Sequence, residues 1–391
     1  MKDGMKRVLL IHPEGNTFNN PTLKSVVDLL LEKKIHLAIR YQVGLSAMQM
    51  LPRVSLLPVG RFQQRIKNAI FNKICWEWLG YLYVLLENIF VYKKYDLIIA
   101  VDRQGLIEAG MLHQQVNTPV VFFSFEIMFE SETSKRFKST EKKVSQYVKH
   151  WFIQDEIRAS HAQKENNLSS TSKTLLPLAS AGIAENHVER LRDLLGVPTD
   201  LKVAIAIGSI SDWSMVQEIV SSVYTWPENW ALIIHDRYGK TEDELTKLGC
   251  NLNNLPKNRV FISNRASIKV DNMSNVLAGV SAGLAFYKPN YKGPYTGKNL
   301  KYLGLASGKI STYLRYGVPP IMNEIGQYSA FAKIHQFGLV ADDAKGIAML
   351  LEKLIDPLWS ERAFLFYKEH LDFNNYRSLV WESLCDAEMA C

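Results

Sequence analysis

Apolar runs of strand length, each followed by a stretch of helical period, recur along this 391-residue chain, and that alternation narrows the fold more than any other feature. The first half carries "RVLLI" (7–11), a helical stretch over 21–34, "IHLAIRY" (35–41), "YDLIIAVD" (95–102), "TPVVFFSFE" (118–126) and "HWFIQ" (150–154). Continuous apolar runs of this kind suit parallel strands buried on both faces by crossover helices. The first helix is clearly punctuated: Asn20 stands as cap, Pro21 takes the first helical position, and lysines occupy the last turn.

A polar segment, 164–187, interrupts the pattern. It restarts at "LKVAIAIGSISDWSMVQEIVSSV" (201–223) and continues through "NWALIIHD" (229–236), "NRVFIS" (258–263), "AGLAFY" (282–287), "PPIM" (319–322) and "GLVAD" (338–342). The expected class is α/β, with one domain over 1–180 and a second over 200–355. The remaining 356–391 reads as aromatic-rich amphipathic helices that need an apolar surface to cover, and they are expected to cross back onto the first domain.

A chain that is 47% hydrophobic and 22% charged has ordinary globular composition at a length for two or three domains. Cys75, Cys250, Cys385 and Cys391 show no CxxC spacing, so neither a zinc site nor a disulfide framework is indicated. The N-terminal run stops at His12 and Pro13, without the long apolar region of a signal peptide. The most apolar stretch, 74–92, is interrupted by Glu77, Glu87 and Asn88, too soon for the roughly 20 residues of a spanning helix. A cytoplasmic location is expected. The formal charge of +7 comes without a nucleic-acid-binding signature, so no nucleic-acid partner is expected. Phosphorylated small molecules and anionic lipid headgroups remain as partners for a basic surface.

In open parallel sheets ligands bind beyond the carboxyl ends of the strands, which directs attention to the loops there. The most informative is "LASGKISTYLRYGVPP" (305–320). Ser307 is suited to cap free N–H groups, Gly308 admits a ligand to the backbone, and Lys309 adds a cation to the positive end of a helix. Together they make an anion site.

The order of strands, the mid-chain linker and above all "SGKISTYLRYGVPPI" (307–321) resemble glycosyltransferases of the GT-B type. "YDLIIAVDRQGLIEAGML" (95–112), "PVVFFSFEIMFE" (119–130) and "FIQDEIRASHAQKENNLSS" (152–170) look like first-domain segments of bacterial members. The resemblance implies two Rossmann-like domains facing across a cleft, C-terminal helices that return to the first domain, and a nucleotide-sugar donor held mainly by the second. It implies transfer of a sugar from a nucleoside diphosphate, UDP-sugar foremost, to a glycan or lipid-linked acceptor in surface polysaccharide or glycoconjugate synthesis. No further cofactor and no metal are expected, and no clustered DxD motif is present. The sequence also departs from the type: Gly304 and Thr312 stand where many retaining members carry two glutamates. An epimerase acting on a nucleotide sugar and a catalytically silent scaffold of the same fold stay open as alternatives.

On the donor side the candidates are Gly208, Ser209, Arg237, Ser307, Gly308, Lys309, Thr312 and Tyr313. Gly208 and Ser209 form a turn after a strand, and Arg237 offers a bidentate fork to phosphate. Lys309 and Tyr313 are one turn apart, so both are able to face one ligand, although Tyr313 equally suits the core. The Gly-, Pro- and Tyr-rich 287–302 reads as a flap or a plain loop. In the first domain Gly15, Asn16 and Asp102 are assigned to the acceptor or sugar side. Glu126, ending an apolar run, is the candidate general base, its pKa raised by partial burial, with Glu130 and Asp102 as rivals. Finally, Phe62, Ile66, Ile70, Ile74 and Trp78 recur every four residues beside Arg61, Arg65, Lys67 and Lys73. This basic amphipathic helix over 61–78 either docks on the inner face of an anionic membrane or packs on its own domain.

Overall fold

The computed structural model describes residues 5–13, 15, 17–42, 51–90, 94–168, 171–184, 189–256, 258–267, 272–293 and 295–389. The chain divides into two compact units. The first comprises Met1–Pro177, Gly293–Asn299 and Tyr376–Cys391, the second Leu178–Lys292 and Leu300–Asn375.

The first unit holds a seven-stranded sheet of β1 (Arg7–His12), β2 (His36–Gln42), β3 (Val54–Val59), β4 (Leu97–Val101), β5 (Val120–Phe123), β6 (Val148–Ile153) and β7 (Ser172–Leu175). Every pairing is parallel, in the order β3-β2-β1-β4-β5-β6-β7. Strands β4 and β5 are buried throughout, as their unbroken apolar runs require. The helix Pro21–Glu32 starts where Asn20 accepts the Leu23 N–H at 3.0 Å and buries Leu23, Val26, Val27 and Leu30.

The second unit holds a six-stranded parallel sheet of β8 (Lys202–Ile207), β9 (Trp230–His235), β10 (Val260–Ser263), β11 (Ala282–Ala285), β12 (Pro320–Met322) and β13 (Leu339–Val340). Its order is β10-β9-β8-β11-β12-β13, so in each unit the strand order reverses beside the first strand: between β1 and β4, and between β8 and β11. These switch points are where a doubly wound sheet opens a crevice at its carboxyl edge.

Three differences from the sequence reading have physical causes. Strands β3 and β7 are not among the expected ones. Both are sheet edges with half-exposed residues and mixed composition, and β3 carries Pro58, which an edge tolerates. The stretch 61–78 is not one helix: Arg61–Asn68 passes into a wide turn over Ala69–Ile74, stops at Cys75 with φ 52°, and a new helix runs Glu77–Phe90. Within it Lys67 is wholly buried, its Nζ 2.6 Å from Glu108 and 3.3 Å from Glu87, which also pairs with Arg40. Lys67 is therefore a core ion-pair residue and not part of an exposed basic edge, whereas Arg61 and Arg65 are exposed.

The tail is shared between the units. Pro357–Phe366 lies in the second, where the Tyr367 hydroxyl donates to the Ser180 carbonyl at 2.7 Å. Arg377–Met389 lies in the first, with Ser383 Oγ 3.2 Å from Thr174 Oγ1 on β7.

Candidate functional site

At the switch point of the second sheet, β8 is followed by Gly208, whose φ of +92° is one that residues with a Cβ rarely adopt. Its N–H donates to the His235 carbonyl at 3.1 Å, fixing the turn to the end of β9, and Ser209 beyond it is exposed. Against this turn lies Lys309, whose Cε stands 3.4 Å from where a Cβ on Gly208 would project. Lys309 sits in the first turn of the helix Gly308–Arg315. Ser307 caps that helix, its Oγ accepting the Ile310 N–H at 3.3 Å while pairing with the Tyr287 hydroxyl at 2.7 Å. The Tyr287 ring stacks on Trp213 at 6.0 Å and 4°, and Lys309 Nζ lies 5.3 Å from its centroid.

No acidic partner for Lys309 is found among the described residues. Burial lowers its pKa from the usual 10.5 to about 8, so at neutral pH it is still mostly a cation and gains from meeting an anion. A Cβ on Gly308 would meet Leu178 at an ordinary contact distance of 3.4 Å. A glycine turn, helix-end N–H groups and a desolvated cation together are equipment for a phosphate-bearing ligand.

Tyr313 does not share that face. Its side chain is wholly buried, with its ring beneath Gly283, where an added Cβ would lie 2.5 Å away. The hydroxyl accepts the Ile207 N–H at 3.0 Å and directs its proton to the Ile205 and Leu284 carbonyls at 3.0 and 3.2 Å. Tyr313 is thus a pin between β8 and β11, and the geometry corrects its assignment to the ligand. Thr312 is likewise occupied, donating to the Gly308 carbonyl at 2.7 Å. Arg237 lies two residues past β9, its guanidinium 4.8 Å from the ring centroid of Tyr238 and donating to that hydroxyl at 2.6 Å. It shares the carboxyl edge with Gly208, whose N–H donates to the last residue of β9.

In the first unit a cavity of about 420 Å³ is lined by His12, Gln42, Gln64, Asn68, Asn72, Asp102, Glu126 and Tyr295. His12 ends β1, Gln42 ends β2, Asp102 follows β4 and Glu126 comes soon after β5, so the cavity lies at the first sheet's switch point. Asp102 begins the helix Asp102–Val116 at φ 53°, and its Oδ1 accepts the N–H groups of Phe125 at 2.7 Å and Glu126 at 2.9 Å. From the other side Asn299 Oδ1 takes the Ile127 N–H at 3.0 Å, Arg158 donates to the Phe125 carbonyl at 2.6 Å, and Asn299 Nδ2 donates to the Glu126 carboxylate. The turn that carries Glu126 is therefore held on both flanks, yet its side chain is exposed and not half-buried as the sequence suggested.

Gly15 lies against His12: a Cβ would fall 2.2 Å from the ring Nε2, so no larger residue fits without displacing the imidazole. Burial lowers the His12 pKa to about 4, leaving the ring neutral at pH 7. Asn16 lies outside the described residues. Glu130, the other carboxylate considered, pairs with Lys142, which holds it below the usual carboxylate range.

Solved structures match the chain along its whole length. HepE of Anabaena in complex with UDP and glucose is 12% identical over 97% of this chain and 100% of that one, with a TM-score of 0.69. Sucrose-phosphate synthase of Thermosynechococcus elongatus is 12% identical, over 99% and 100%, at 0.70. This is the GT-B fold. WaaG, a glycosyltransferase involved in lipopolysaccharide biosynthesis, matches this GT-B chain at 12% identity over 95% and 99%, with a TM-score of 0.63. No family model and no curated relative matches it by sequence.

Sequence reasoning missed the amides of this GT-B chain's first-unit cavity. Gln64, Asn68 and Asn72 recur every four residues, the same spacing as the apolar stripe of 62–78, and that second stripe was the available signal. It also missed Trp213, which stacks on Tyr287 beside Lys309 from a turn after β8.

Proposed function

We propose that the chain is a glycosyltransferase that moves a sugar from a nucleoside diphosphate, a UDP-sugar foremost, to a glycan or lipid-linked acceptor. The observation that carries this is Lys309 beside Gly208, a cation without an acidic partner among the described residues at a turn open to phosphate. The similarity to HepE, solved in complex with UDP-glucose, supports the choice of nucleotide. Lys309 and the N–H groups of its helix start would meet the charge growing on the departing diphosphate. Glu126 would take the proton of the acceptor hydroxyl. Incubation with a panel of nucleotide sugars, with and without acceptor extracts, tests the reading. Acceptor-dependent release of UDP supports it, and conversion of the donor without acceptor favours an epimerase. Absence of both points to a silent scaffold. Activity retained in EDTA is expected, because the proposed charge stabilisation comes from the protein.

A second observation supports a lipid-linked acceptor and work at a membrane surface. On the helix Glu77–Phe90, Trp78, Leu82, Leu86, Ile89 and Phe90 are 46–81% exposed at helical spacing, with Trp76 just before them. The face is bordered by cations: Arg136 lies 6.0 Å from the Trp76 ring centroid, and Lys143 Nζ is 2.6 Å from Glu77. An apolar face with tryptophans and a basic rim matches an anionic bilayer surface. Among the described residues no helix is long and apolar enough to cross a membrane. The chain should float with vesicles of phosphatidylcholine and phosphatidylglycerol in equal parts and not with phosphatidylcholine alone. The triple change Leu82→Gln, Leu86→Gln, Phe90→Ser should abolish flotation, and flotation that persists would refute this contact.

A further inference from the structure

We infer that Asn299 is a positioning residue for Glu126, its amide holding the carboxylate ionised and oriented in the first-unit cavity. The inference rests on the proposed reading of Glu126 as the base and names the residue through which that base is set.

The argument starts from Arg158, which is wholly buried and only donates. Its Nε bonds Gln154 Oε1 at 2.8 Å, and Gln154 in turn donates to the Ser124 carbonyl at 2.9 Å, so the guanidinium is fixed in place. Its Nη2 bonds the Phe125 carbonyl at 2.6 Å and one end of the Asn299 amide at 3.2 Å. The Ile127 N–H meets the same end at 3.0 Å. Two groups that can only donate identify that end as the carbonyl, since the flipped amide would set N–H against N–H twice. The NH2 end therefore faces the other way. One of its protons goes to the Tyr295 carbonyl at 3.3 Å and the other to the Glu126 carboxylate.

This amide is firmly seated. Asn299 is 2% exposed and belongs, with the rest of Gly293–Asn299, to the first unit, although the sequence on both sides of that segment lies in the second. Beside it the Lys298 N–H bonds the Glu132 carboxylate at 2.5 Å, and Lys298 Nζ bonds Ser131 Oγ at 2.7 Å. The Glu126 side chain, by contrast, is exposed and lines the cavity. An exposed carboxylate has several rotamers within reach, and a buried N–H of fixed direction selects one of them.

The same bond favours the charged form of the carboxyl group. Arg158 acts in the same sense: burial lowers its pKa, and the carboxylates of Glu126, Asp155 and Asp102 oppose that fall. The other titratable groups lining the cavity are Asp102, whose Oδ1 accepts two backbone N–H groups, Tyr295, and His12, neutral at pH 7. None of them is a cation that could take over from Asn299.

Asn299→Asp isolates the role in the full-length protein. It keeps an oxygen for Ile127 and Arg158 and sets a second carboxylate against Glu126 in place of the N–H. Like charges in contact raise the pKa of one of the pair. In protein carrying carbon-13-labelled glutamate, the Glu126 carboxyl signal, assigned by its absence in Glu126→Gln, should titrate about one pH unit or more higher in Asn299→Asp than in wild type. The acid limb of kcat against pH should move with it, a loss of about tenfold on that limb, with UDP affinity unchanged as a check on folding. Added to Glu126→Gln, Asn299→Asp should cost no further turnover, whereas a merely structural role would add its loss in full. An unshifted Glu126 titration, or additive losses, would overturn the inference. The failures are separable: a shifted titration in a protein that keeps its turnover in Glu126→Gln, or turns over no nucleotide sugar, leaves the positioning and sinks the reading it serves. Turnover lost in Glu126→Gln beside an unshifted titration does the reverse.

Discussion

The two sheets reverse strand order at corresponding places, yet their carboxyl edges carry opposite chemistry. At the β1/β4 switch the cavity is lined by amides and carboxyl groups, with a histidine that burial keeps neutral. At the β8/β11 switch the turn carries a positive-φ glycine, an aromatic pair and a lysine with no acidic partner among the described residues. One topology thus carries two differently charged edges, of which the second has the groups suited to an anion. The difference lies in the residues just past the strand ends: Asp102 and Glu126 after β4 and β5 in one case, Gly208 and Tyr287 after β8 and β11 in the other. Fold alone does not assign a substrate to either edge, so the contrast must be tested residue by residue.

The largest effect expected from breaking the contrast is at Glu126. Glu126→Gln removes the proposed base but keeps a group of the same shape to accept from Asn299. Turnover should fall roughly a hundredfold to ten-thousandfold, with UDP affinity unchanged. Steady-state kinetics beside UDP titration checks this, and turnover within a few-fold of wild type would leave Glu126 as an ordinary part of the clamped turn.

The next effect concerns the anion edge. Lys309→Ala should weaken UDP binding by roughly tenfold to a hundredfold, the loss of one charge-assisted contact. Gly308→Val should do similar harm by filling the approach to the backbone, and because its methyls extend beyond the Cβ that Leu178 meets at 3.4 Å, chemical denaturation is measured beside it. Wild-type affinity in both variants would reduce the Ser307–Gly308–Lys309 start to a helix cap.

Much of this contrast can be read from the sequence, and the parts that cannot have definable causes. Central strands were visible because β1, β4, β5, β8 and β9 are continuous apolar runs; the edges β3 and β7 were not, because half-exposed strands carry mixed residues. The helix start at Ser307 was legible from capping chemistry, which is local. The role of Tyr313 was not, because the sequence spacing that put it one turn from Lys309 says nothing of Gly283, the glycine whose missing side chain makes room for the ring. Lys67 read as a surface cation since Glu87 and Glu108 are distant in sequence. The amide row of the cavity was hidden by the more conspicuous apolar stripe of the same spacing.

Tyr313 supplies a smaller effect, confined to stability. Tyr313→Phe deletes a hydroxyl that serves one N–H and two carbonyls in the sheet, leaving buried polar groups unpaired at a cost of about 1–3 kcal/mol. Chemical denaturation should show that loss, with UDP affinity preserved. Loss of UDP affinity without loss of stability would return Tyr313 to the ligand.

The smallest effect is the dependence of UDP binding on pH, and its sign is set by Lys309. Free of ligand, burial holds this lysine near pKa 8, below the 10.5 of an exposed one. The folded apo protein therefore binds fewer protons than the unfolded chain between those values, so its stability should rise as pH climbs from about 8 toward 10.5. A diphosphate beside the ammonium favours the charged form and lifts the pKa of the bound state, which reverses the trend. Affinity should be level near neutral pH, fall as pH rises through about 8, and flatten again above the pKa of the complex. A Lys309→Arg protein keeps its charge throughout and should lose this alkaline limb even if its geometry weakens binding at neutral pH. Titrations across pH 7 to 10 on both proteins distinguish the cases. A limb of equal depth in both would mean that some other group sets the pH response, and that Lys309 does not meet the phosphates.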